Sequence, residues 1–251
     1  MASRIEIIGL AGIPEVSEGD DVGRLILDAA RGQGVSLVSG DIVVVKQKIV
    51  SKAEGRLVAL RDVCPSDLAR RIAAETGKDA RQTEVVLRES RRIVKMDMGL
   101  IISETRHGIV CANAGVDASN VGVEDAVCLL PLDPDSSAAR IREILEKETK
   151  ADLAVIVSDS IGRPWRTGIV DVAIGISGLE ALRDYVGQKD DYGHELRVTV
   201  VAIADELASA AELATGKLER VPVAAIKGYS FARGEGGAGA LILERERDLF
   251  R

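Results

Sequence analysis

The chain has 251 residues, of which 46% are hydrophobic and 29% are charged, and its formal net charge is −7. This length and apolar content predict a folded protein of one large or two small domains rather than a disordered chain. The acidic balance argues against nonspecific binding to nucleic acid or anionic membranes, which requires a basic face. Because only 2% of the residues are aromatic, few side chains could stack on bases, and the core must be built from Val, Ile, Leu and Ala.

The cysteines and histidines exclude several classes of site. Cys64, Cys111 and Cys128 form no CxxC pair, and the simplest interpretation is small apolar residues in a reducing compartment, with a nucleophilic cysteine as the alternative. His107 and His194 are far apart, so we do not expect a His-rich zinc site. Apolar runs break after a few residues and no secretory leader is evident, so we expect a cytoplasmic protein without a membrane span.

Hydrophobic spacing and capping residues predict the elements of the first half of the chain. Asp20 and Asp21 are typical of a helix start, and Gly77 is typical of a helix end. An all-apolar run at 42–45 is typical of a strand buried on both faces. In chain order we predict a strand over 4–10, a helix from 20–21 to about 31, a strand over 42–45, a helix from 65–67 to 77, a helix over 79–91, and a hairpin with strands over 100–103 and 109–112.

The second half alternates strands and helices less regularly. The predicted elements are a helix over 138–148 capped by 135–137, strands over 153–157, 170–176 and 197–203, a helix over 205–213, a strand over 223–226, and a charged helix or extended tail over 244–251. Because these elements do not follow a regular βαβ order, we predict an α+β fold of mixed sheets with packed helices.

Two polar segments directly follow apolar strands. The first, 113–120, is either a site at a strand end or an ordinary turn. In the second, 158–166, Asp159 and Ser160 offer the oxygen ligands that Mg²⁺ or Mn²⁺ prefers. Arg163 and Arg166 would suit a phosphate or a substrate carboxylate; the alternative is a capped helix start with solvated arginines.

Positive charge is concentrated between residues 46 and 56 of this acidic chain. If the preceding strand continued, alternation would place Lys46, Lys48 and Lys52 on one face, where they could hold a triphosphate. A solvated strand edge protected by lysines is the alternative. The glycine-rich segment 234–239 could approach an anion, but it matches no phosphate-binding motif in context, so a flexible loop is the simpler interpretation.

Eight short strings distributed over most of the chain carry a family resemblance. They lie at 12–14 (GIP), 18–21 (EGDD), 48–56 (KIVSKAEGR), 113–120 (NAGVDASN), 130–135 (LPLDPD), 158–163 (SDSIGR), 174–178 (IGISG) and 205–206 (DE). In this order they resemble the coenzyme F420-0:L-glutamate ligase family, also called the F420 γ-glutamyl ligases. The strings at 48–56 and 113–120 are the most diagnostic.

The resemblance implies a GTP-dependent, amide-forming ligase that needs Mg²⁺ or Mn²⁺, with K⁺ as a further cation in some members. Such enzymes add L-glutamate to the carboxylate of a deazaflavin precursor through an acyl phosphate, and then add γ-linked glutamates. The family fold is α+β and forms an intertwined homodimer. We therefore expect one ligase-like unit over 1–251 that could divide into two subdomains, with no fused reductase-like domain.

The resemblance also assigns residues, and it calls for no protein nucleophile. Asp117 and Asp159 would bind one metal, and Ser160 would help to hold a second. The implied GTP site consists of Ile13, Pro14, Glu15, Val16, Gln47, Lys48, Lys52 and Asn120.

Residue Lys217 departs from the family pattern. Its position in a late glycine-containing loop usually carries an acidic or amide ligand for the second metal, and a charged lysine cannot ligate a metal. Either Lys217 contacts phosphate and joins the GTP site, or Glu219 substitutes as ligand, or one metal suffices.

Two alternative functions stay open at this point. The chain could ligate an amino acid to a different carboxylate, because the substrate pocket is the least readable part of the sequence. It could also be a nucleotide-binding regulatory homologue without turnover. The presence of Lys52, Asp117, Asn120 and Asp159 argues against a homologue without turnover. Unpaired charges are energetically costly, and we do not expect them to persist after catalysis is lost.

Overall fold

The computed structural model describes residues 4–248. This part of the chain contains twelve strands and six α-helices. In chain order they are β1 (Glu6–Gly9), α1 (Val22–Gly32), β2 (Ile42–Lys46), α2 (Gln47–Ala53), β3 (Leu57–Ala59), α3 (Asp67–Thr76), α4 (Ala80–Glu89), β4 (Ser90–Asp97), β5 (Leu100–Thr105), β6 (Val110–Ala112), β7 (Ala126–Cys128), α5 (Pro134–Thr149), β8 (Ala154–Arg163), β9 (Arg166–Ser177), β10 (Arg183–Asp184), β11 (Val200–Val201), α6 (Ile203–Thr215) and β12 (Val223–Lys227).

The strands form one main sheet and three small ones. The main sheet has the order β1-β12-β2-β8-β9, and the others are β4-β5-β6, β3-β7 and β10-β11. Within the main sheet β2 and β8 run parallel, while every other neighbouring pair is antiparallel. The predicted α+β class with mixed sheets is therefore confirmed.

The main sheet is buried on both faces because β2 and the first half of β8 are continuous apolar runs. Successive side chains of a strand point to opposite faces, so Val43 and Val45 pack with helices α1 and α5, while Ile42 and Val44 pack with α6. A separate core lies between α3, α4 and the small sheets. The buried main sheet thus fixes the positions of the polar side chains at the ends of its strands.

Helix α2 corrects the prediction of a continued strand over 46–52. The backbone turns from β2 directly into a helix at Gln47, because Val50 is buried in the core beside the sheet. On a helix, residues four apart share a face, so Lys48 and Lys52 still lie together, but Lys46 belongs to the strand.

Several other boundaries also differ from the predictions. The predicted strand 197–203 is reduced to two residues, because Val198 is 88% exposed and Ile203 already begins α6. Strand β8 continues to Arg163 and pairs with β9, so the helix start considered at 158–166 is wrong. Helix α5 begins at Pro134 with Asp133 as its cap, not at 138.

The remaining predicted elements are present with small shifts. The hairpin prediction is confirmed by the antiparallel pairing of β5 with β6, whereas strands β3, β4, β7 and β10 were not predicted. Of the predicted tail, Arg245–Arg247 form a short 3-10 helix, and residues 249–251 lie outside the described residues. None of the helices that the structure describes combines the length and hydropathy needed to span a bilayer.

Candidate functional site

A cavity of about 840 Å³ opens at the carboxyl ends of the parallel strands β2 and β8. Lys46 ends β2 and lies opposite Ser158 in the sheet register, and the loop before β12 reaches the same edge. The cavity brings together the twelve residues for which the family resemblance implied nucleotide or metal contacts: Ile13, Pro14, Glu15, Val16, Gln47, Lys48, Lys52, Asp117, Asn120, Asp159, Ser160 and Lys217. Their proposed contacts with GTP and metal stay predictions.

One wall of the cavity is built around Asp117. Its carboxylate accepts a hydrogen bond from the Lys48 ammonium at 2.7 Å and two from Ser119, through the backbone N–H at 2.7 Å and the hydroxyl at 2.9 Å. Burial works to raise the pKa of Asp117, but these hydrogen bonds outweigh it and hold the pKa below its usual value. Asp117 is therefore ionised at neutral pH and is already paired with a cation.

Lys52 supplies a second ammonium, and it is nearly inaccessible to solvent. Its side chain is 7% exposed. The ammonium pairs with the Glu15 carboxylate and donates to the backbone oxygen of Asn120 at 3.1 Å. Because Asn120 has a φ of 49°, the backbone turns sharply here in the left-handed region. This turn and α2 together bring the buried ammonium to the cavity.

A carboxylate that sequence reasoning missed lies behind the cavity, in contact with the lining residues Lys46, Ser158, Ser160 and Lys217. The Asp171 side chain is fully buried and pairs with Lys46 through one oxygen and with Lys217, at 3.1 Å, through the other. Hydroxyls of Ser158 and Ser160 also donate to it, at 3.2 and 2.7 Å. Burial works to raise the pKa of Asp171, but Lys46 and the other donors hold it below its usual value.

Asp159 lies in the same cavity but is compensated differently. It forms no ion pair with any of residues 4–248. Burial raises its pKa to about 6, and the negative charges of Asp171 and Asp117 add to the effect. The Lys48 charge and a backbone hydrogen bond at Ser160 favour the ionised form of Asp159 but do not outweigh burial, so this carboxylate has no ion-pair partner of its own. Oxygen ligands in this state suit a divalent cation.

The described residues do not by themselves form a complete metal centre. No group of three or more His, Cys, Asp or Glu side chains within 4–248 is placed to hold a metal ion. A cation bound at Asp117 and Asp159 would need further oxygen ligands from a bound molecule or from water, as is usual for Mg²⁺ beside phosphates.

The two arginines predicted from the sequence lie elsewhere. Neither Arg163 nor Arg166 is among the described residues that line the cavity. They are at the tip of the β8–β9 hairpin, where Arg163 donates to the backbone oxygen of Thr167 at 3.2 Å. Ile169 of the same hairpin does line the cavity. A role of the arginines toward phosphate or substrate stays a prediction.

The structure also places the three cysteines and the glycine-rich segment 234–239. Cys64 is exposed, and the thiols of Cys111 and Cys128 are free and buried. Burial, with the charge of Asp159, raises the pKa of Cys111 to about 12, so this thiol stays protonated. In the segment 234–239, a side chain at Gly234 would collide with the Glu180 carboxylate. Because the Glu180 side chain is exposed and flexible, it could move aside, and packing alone does not require glycine at this position.

Sequence reasoning assigned no individual role to several lining residues, among them Ser119, Ser158 and Arg220, although the first two lie in the segments 113–120 and 158–166 that it singled out. A signal for Asp171 was present, because it is a single charged residue inside the apolar run 170–176. A charge buried inside a strand needs a partner. The partners could not be found locally, since Lys46 is 125 residues away.

Comparisons with known proteins identify the family of the chain. The family model described as F420-0:Gamma-glutamyl ligase matches residues 11–228. The chain is 47% identical to the Coenzyme F420:L-glutamate ligase of Methanothermobacter thermautotrophicus, over 98% of this chain and 99% of that protein. It is 43% identical to the protein of the same name from Methanocaldococcus jannaschii, over 99% and 97%, and 40% identical to that from Archaeoglobus fulgidus, over the same shares.

Proposed function

Because the chain belongs to the F420-0:gamma-glutamyl ligase family, we propose that it is an enzyme that joins L-glutamate to the coenzyme F420 precursor at the expense of GTP. The observation that carries the GTP-dependent part is the convergence of four ammonium groups on one cavity of an acidic protein. They belong to Lys46, Lys48, Lys52 and Lys217. Each of them also pairs with a carboxylate. A triphosphate therefore matches this set when it arrives with a divalent cation that compensates the carboxylates.

The reaction needs an activated carboxylate. Transfer of the γ-phosphoryl group of GTP to a carboxylate oxygen of the precursor gives an acyl phosphate and GDP. The glutamate amine then attacks the acyl carbon, phosphate leaves with the electrons of the broken C–O bond, and the nitrogen loses a proton to give the amide. Repetition at the side-chain carboxylate of the added glutamate would give the γ-linked chain. Phosphoryl transfer depends on positioning and charge neutralisation, which the ammonium groups provide.

The protein residues have distinct parts in this proposal. Lys52, held by Glu15 and the backbone of Asn120, is fixed before the nucleotide arrives, so little side-chain entropy is lost on binding. Lys48 links the nucleotide site to Asp117. Gln47 is buried at the start of α2 and accepts a hydrogen bond from Ser51, which fixes the orientation of its amide toward the cavity.

Asp117 and Asp159 are the residues that would hold a Mg²⁺ or Mn²⁺ ion. The carboxylate of Asp159 fits this role, because a cation there supplies the direct ion-pair partner that it lacks among residues 4–248. When bound, such an ion neutralises the charge that develops on the phosphate oxygens. The protein side chains orient the phosphates around it.

The proposal is tested by incubating the protein with the deazaflavin precursor, GTP, Mg²⁺ and L-glutamate and following the products by mass spectrometry. We expect glutamate-dependent formation of GDP and of a precursor carrying one or more glutamates. GDP release with another acid but not with this precursor would identify a ligase for a different carboxylate. GTP binding without turnover of any acid would identify a regulatory homologue and overturn the proposal.

We further propose that the chain acts as a homodimer. Val186, Tyr192 and Val198, in the segment around the β10–β11 pair, are exposed at 48%, 88% and 88%, and such side chains support an interaction with a second copy. Light scattering should give about twice the chain mass of 26.6 kDa. A mass equal to that of one chain at micromolar concentration would contradict this proposal.

A further inference from the structure

The ammonium of Lys217 lies among oxygens from three different elements. It donates to the Ser160 hydroxyl of β8, to one oxygen of Asp171 in β9 at 3.1 Å, and contacts the Glu212 carboxylate of α6 at 3.4 Å. Lys217 itself comes from the loop that follows α6. Two carboxylates and a hydroxyl converging on one point form a hard-oxygen cluster of the kind that binds Mg²⁺ or Mn²⁺ in proteins.

This oxygen cluster surrounds the Lys217 ammonium and is held in place by a buried carboxylate. Asp171 is fully buried, and its other oxygen pairs with Lys46, so the carboxylate cannot turn away. The Lys217 side chain is 43% exposed and lines the cavity. The ammonium therefore faces the ligand space while its charge is balanced from behind by Asp171 and Glu212.

We propose that Lys217 is the resident cation of this cluster, so that the pocket takes one divalent ion, at Asp117 and Asp159, and none at Ser160. This inference rests on the proposed function, because it concerns the cations of the same site. It disagrees with the second-metal role that the family resemblance implies for Ser160, since the Ser160 hydroxyl and the Asp171 carboxylate are already bound to an ammonium.

A tethered ammonium differs from a bound metal in two ways. It is present at every metal concentration, because it is covalently part of the chain. It also carries one charge instead of two and accepts no ligands. If the ammonium is removed, Ser160, Asp171 and Glu212 lose a shared cation and become available to a divalent ion.

The test is the stoichiometry of Mn²⁺ binding, measured by electron paramagnetic resonance of the free ion, with the metal alone and without substrates. We expect Lys217→Gln and Lys217→Ala to bind one more Mn²⁺ per chain than the wild type. Adding Asp171→Asn to Lys217→Gln should abolish the extra site. The matched control is Lys227→Gln, which removes an ammonium from the buried carboxylate of Asp41 at the far end of β2 and should leave the stoichiometry unchanged.

Two results would overturn the inference. Equal Mn²⁺ stoichiometry in the wild type and in both Lys217 variants would show that the cluster does not take a cation. A second Mn²⁺ already bound to the wild type, and lost with Asp171→Asn, would show that Lys217 yields the cluster to metal. These failures differ from failure of the proposed function, which the wild type would show by making no glutamylated product.

Discussion

Asp159 and Asp171 belong to neighbouring strands, with Asp159 lining the cavity and Asp171 buried behind it, and their charges are compensated in opposite ways. Asp171 is fully buried and has four partners: Lys46, Lys217, Ser158 and Ser160. Asp159 is partly accessible and forms no ion pair with the described residues. The difference separates two uses of a buried carboxylate. Asp171 pairs with two ammonium groups of the site. Asp159 has no ion-pair partner, and we propose that it binds a cation that arrives with the substrate.

The largest expected effect is on stability, at Asp171. Asp171→Asn should lower the free energy of unfolding by about 3–5 kcal/mol, because it removes one member of a buried ion-pair cluster and leaves Lys46 without its counter-charge. Urea unfolding followed by circular dichroism measures this loss. The matched control is Asp205→Asn, whose side chain accepts the backbone N–H of Ala173 at 2.9 Å and can still accept it as an amide. Equal losses in the two variants would contradict the distinct role of Asp171.

Asp159→Asn should act on turnover instead. We expect kcat to fall by roughly 100-fold or more, because the cation loses a ligand at the point where phosphate charge develops. Asp117→Asn should have a similar effect, and the double variant should be little worse than either single one, since both residues serve one unit. Glutamate-dependent GDP release measures kcat, and near-wild-type rates in either single variant would rule out the shared cation.

Lys52 tests the nucleotide side of the pocket. Lys52→Ala should weaken GTP binding by about 1.5–3 kcal/mol, the range for a charge-assisted hydrogen bond. The effect on folding should be smaller, because its partner Glu15 is 59% exposed in its side chain and can be rehydrated. Calorimetric titration measures the affinity, and Lys147→Ala on the exposed face of α5 is the control. An unchanged affinity would remove Lys52 from the site.

The smallest expected effect is the pH dependence that the Asp159 carboxylate adds to the ligand-free protein. Its pKa in the folded state is about 6, against an ordinary value of 3.8. The folded state therefore holds the proton more tightly than the unfolded chain, and the stability contributed by this group falls as pH rises from 3.8 to about 6. The pKa difference between 3.8 and about 6 corresponds to at most about 3 kcal/mol. Because the carboxylate is partly accessible to solvent, we expect Asp159→Asn to be more stable than the wild type by about 1 kcal/mol at neutral pH.

Urea unfolding at acidic and neutral pH, without metal, measures that difference. Asp159→Asn and Asp171→Asn should therefore alter the free energy of unfolding in opposite directions. A wild type that gains stability relative to Asp159→Asn between pH 4 and pH 7 would show that Asp159 has an unseen counter-charge.

Local sequence signals predicted the described α-helices other than α2. Helix α3 begins after Ser66, which accepts from the backbone N–H of Ala69, and ends at Gly77 with a φ of 70°. Both ends depend on residues within one turn, which a sequence pattern contains. The strand prediction for 46–52 was wrong because its lysine spacing fits a strand face and a helix face equally. Burial of Val50 against the distant sheet decides in favour of the helix.

The site shows the same limit. The polar ends of β2 and β8 could be recognised as site segments, because apolar runs lead into them. What could not be predicted from the residues was how the charges would be paired. The two lysine partners of Asp171 lie 46 and 125 residues away along the chain, and no local rule connects them. The contrast between a paired and an unpaired carboxylate exists only in the folded protein.

The most direct test of the account is the effect of Mg²⁺ on GTP binding in the wild type and in Asp159→Asn, measured by calorimetry under identical conditions. If Asp159 binds a cation that arrives with the nucleotide, Mg²⁺ should strengthen GTP binding to the wild type by roughly tenfold or more. It should leave the affinity of the variant nearly unchanged. Equal strengthening in both proteins would contradict the assignment of Asp159 as the cation site.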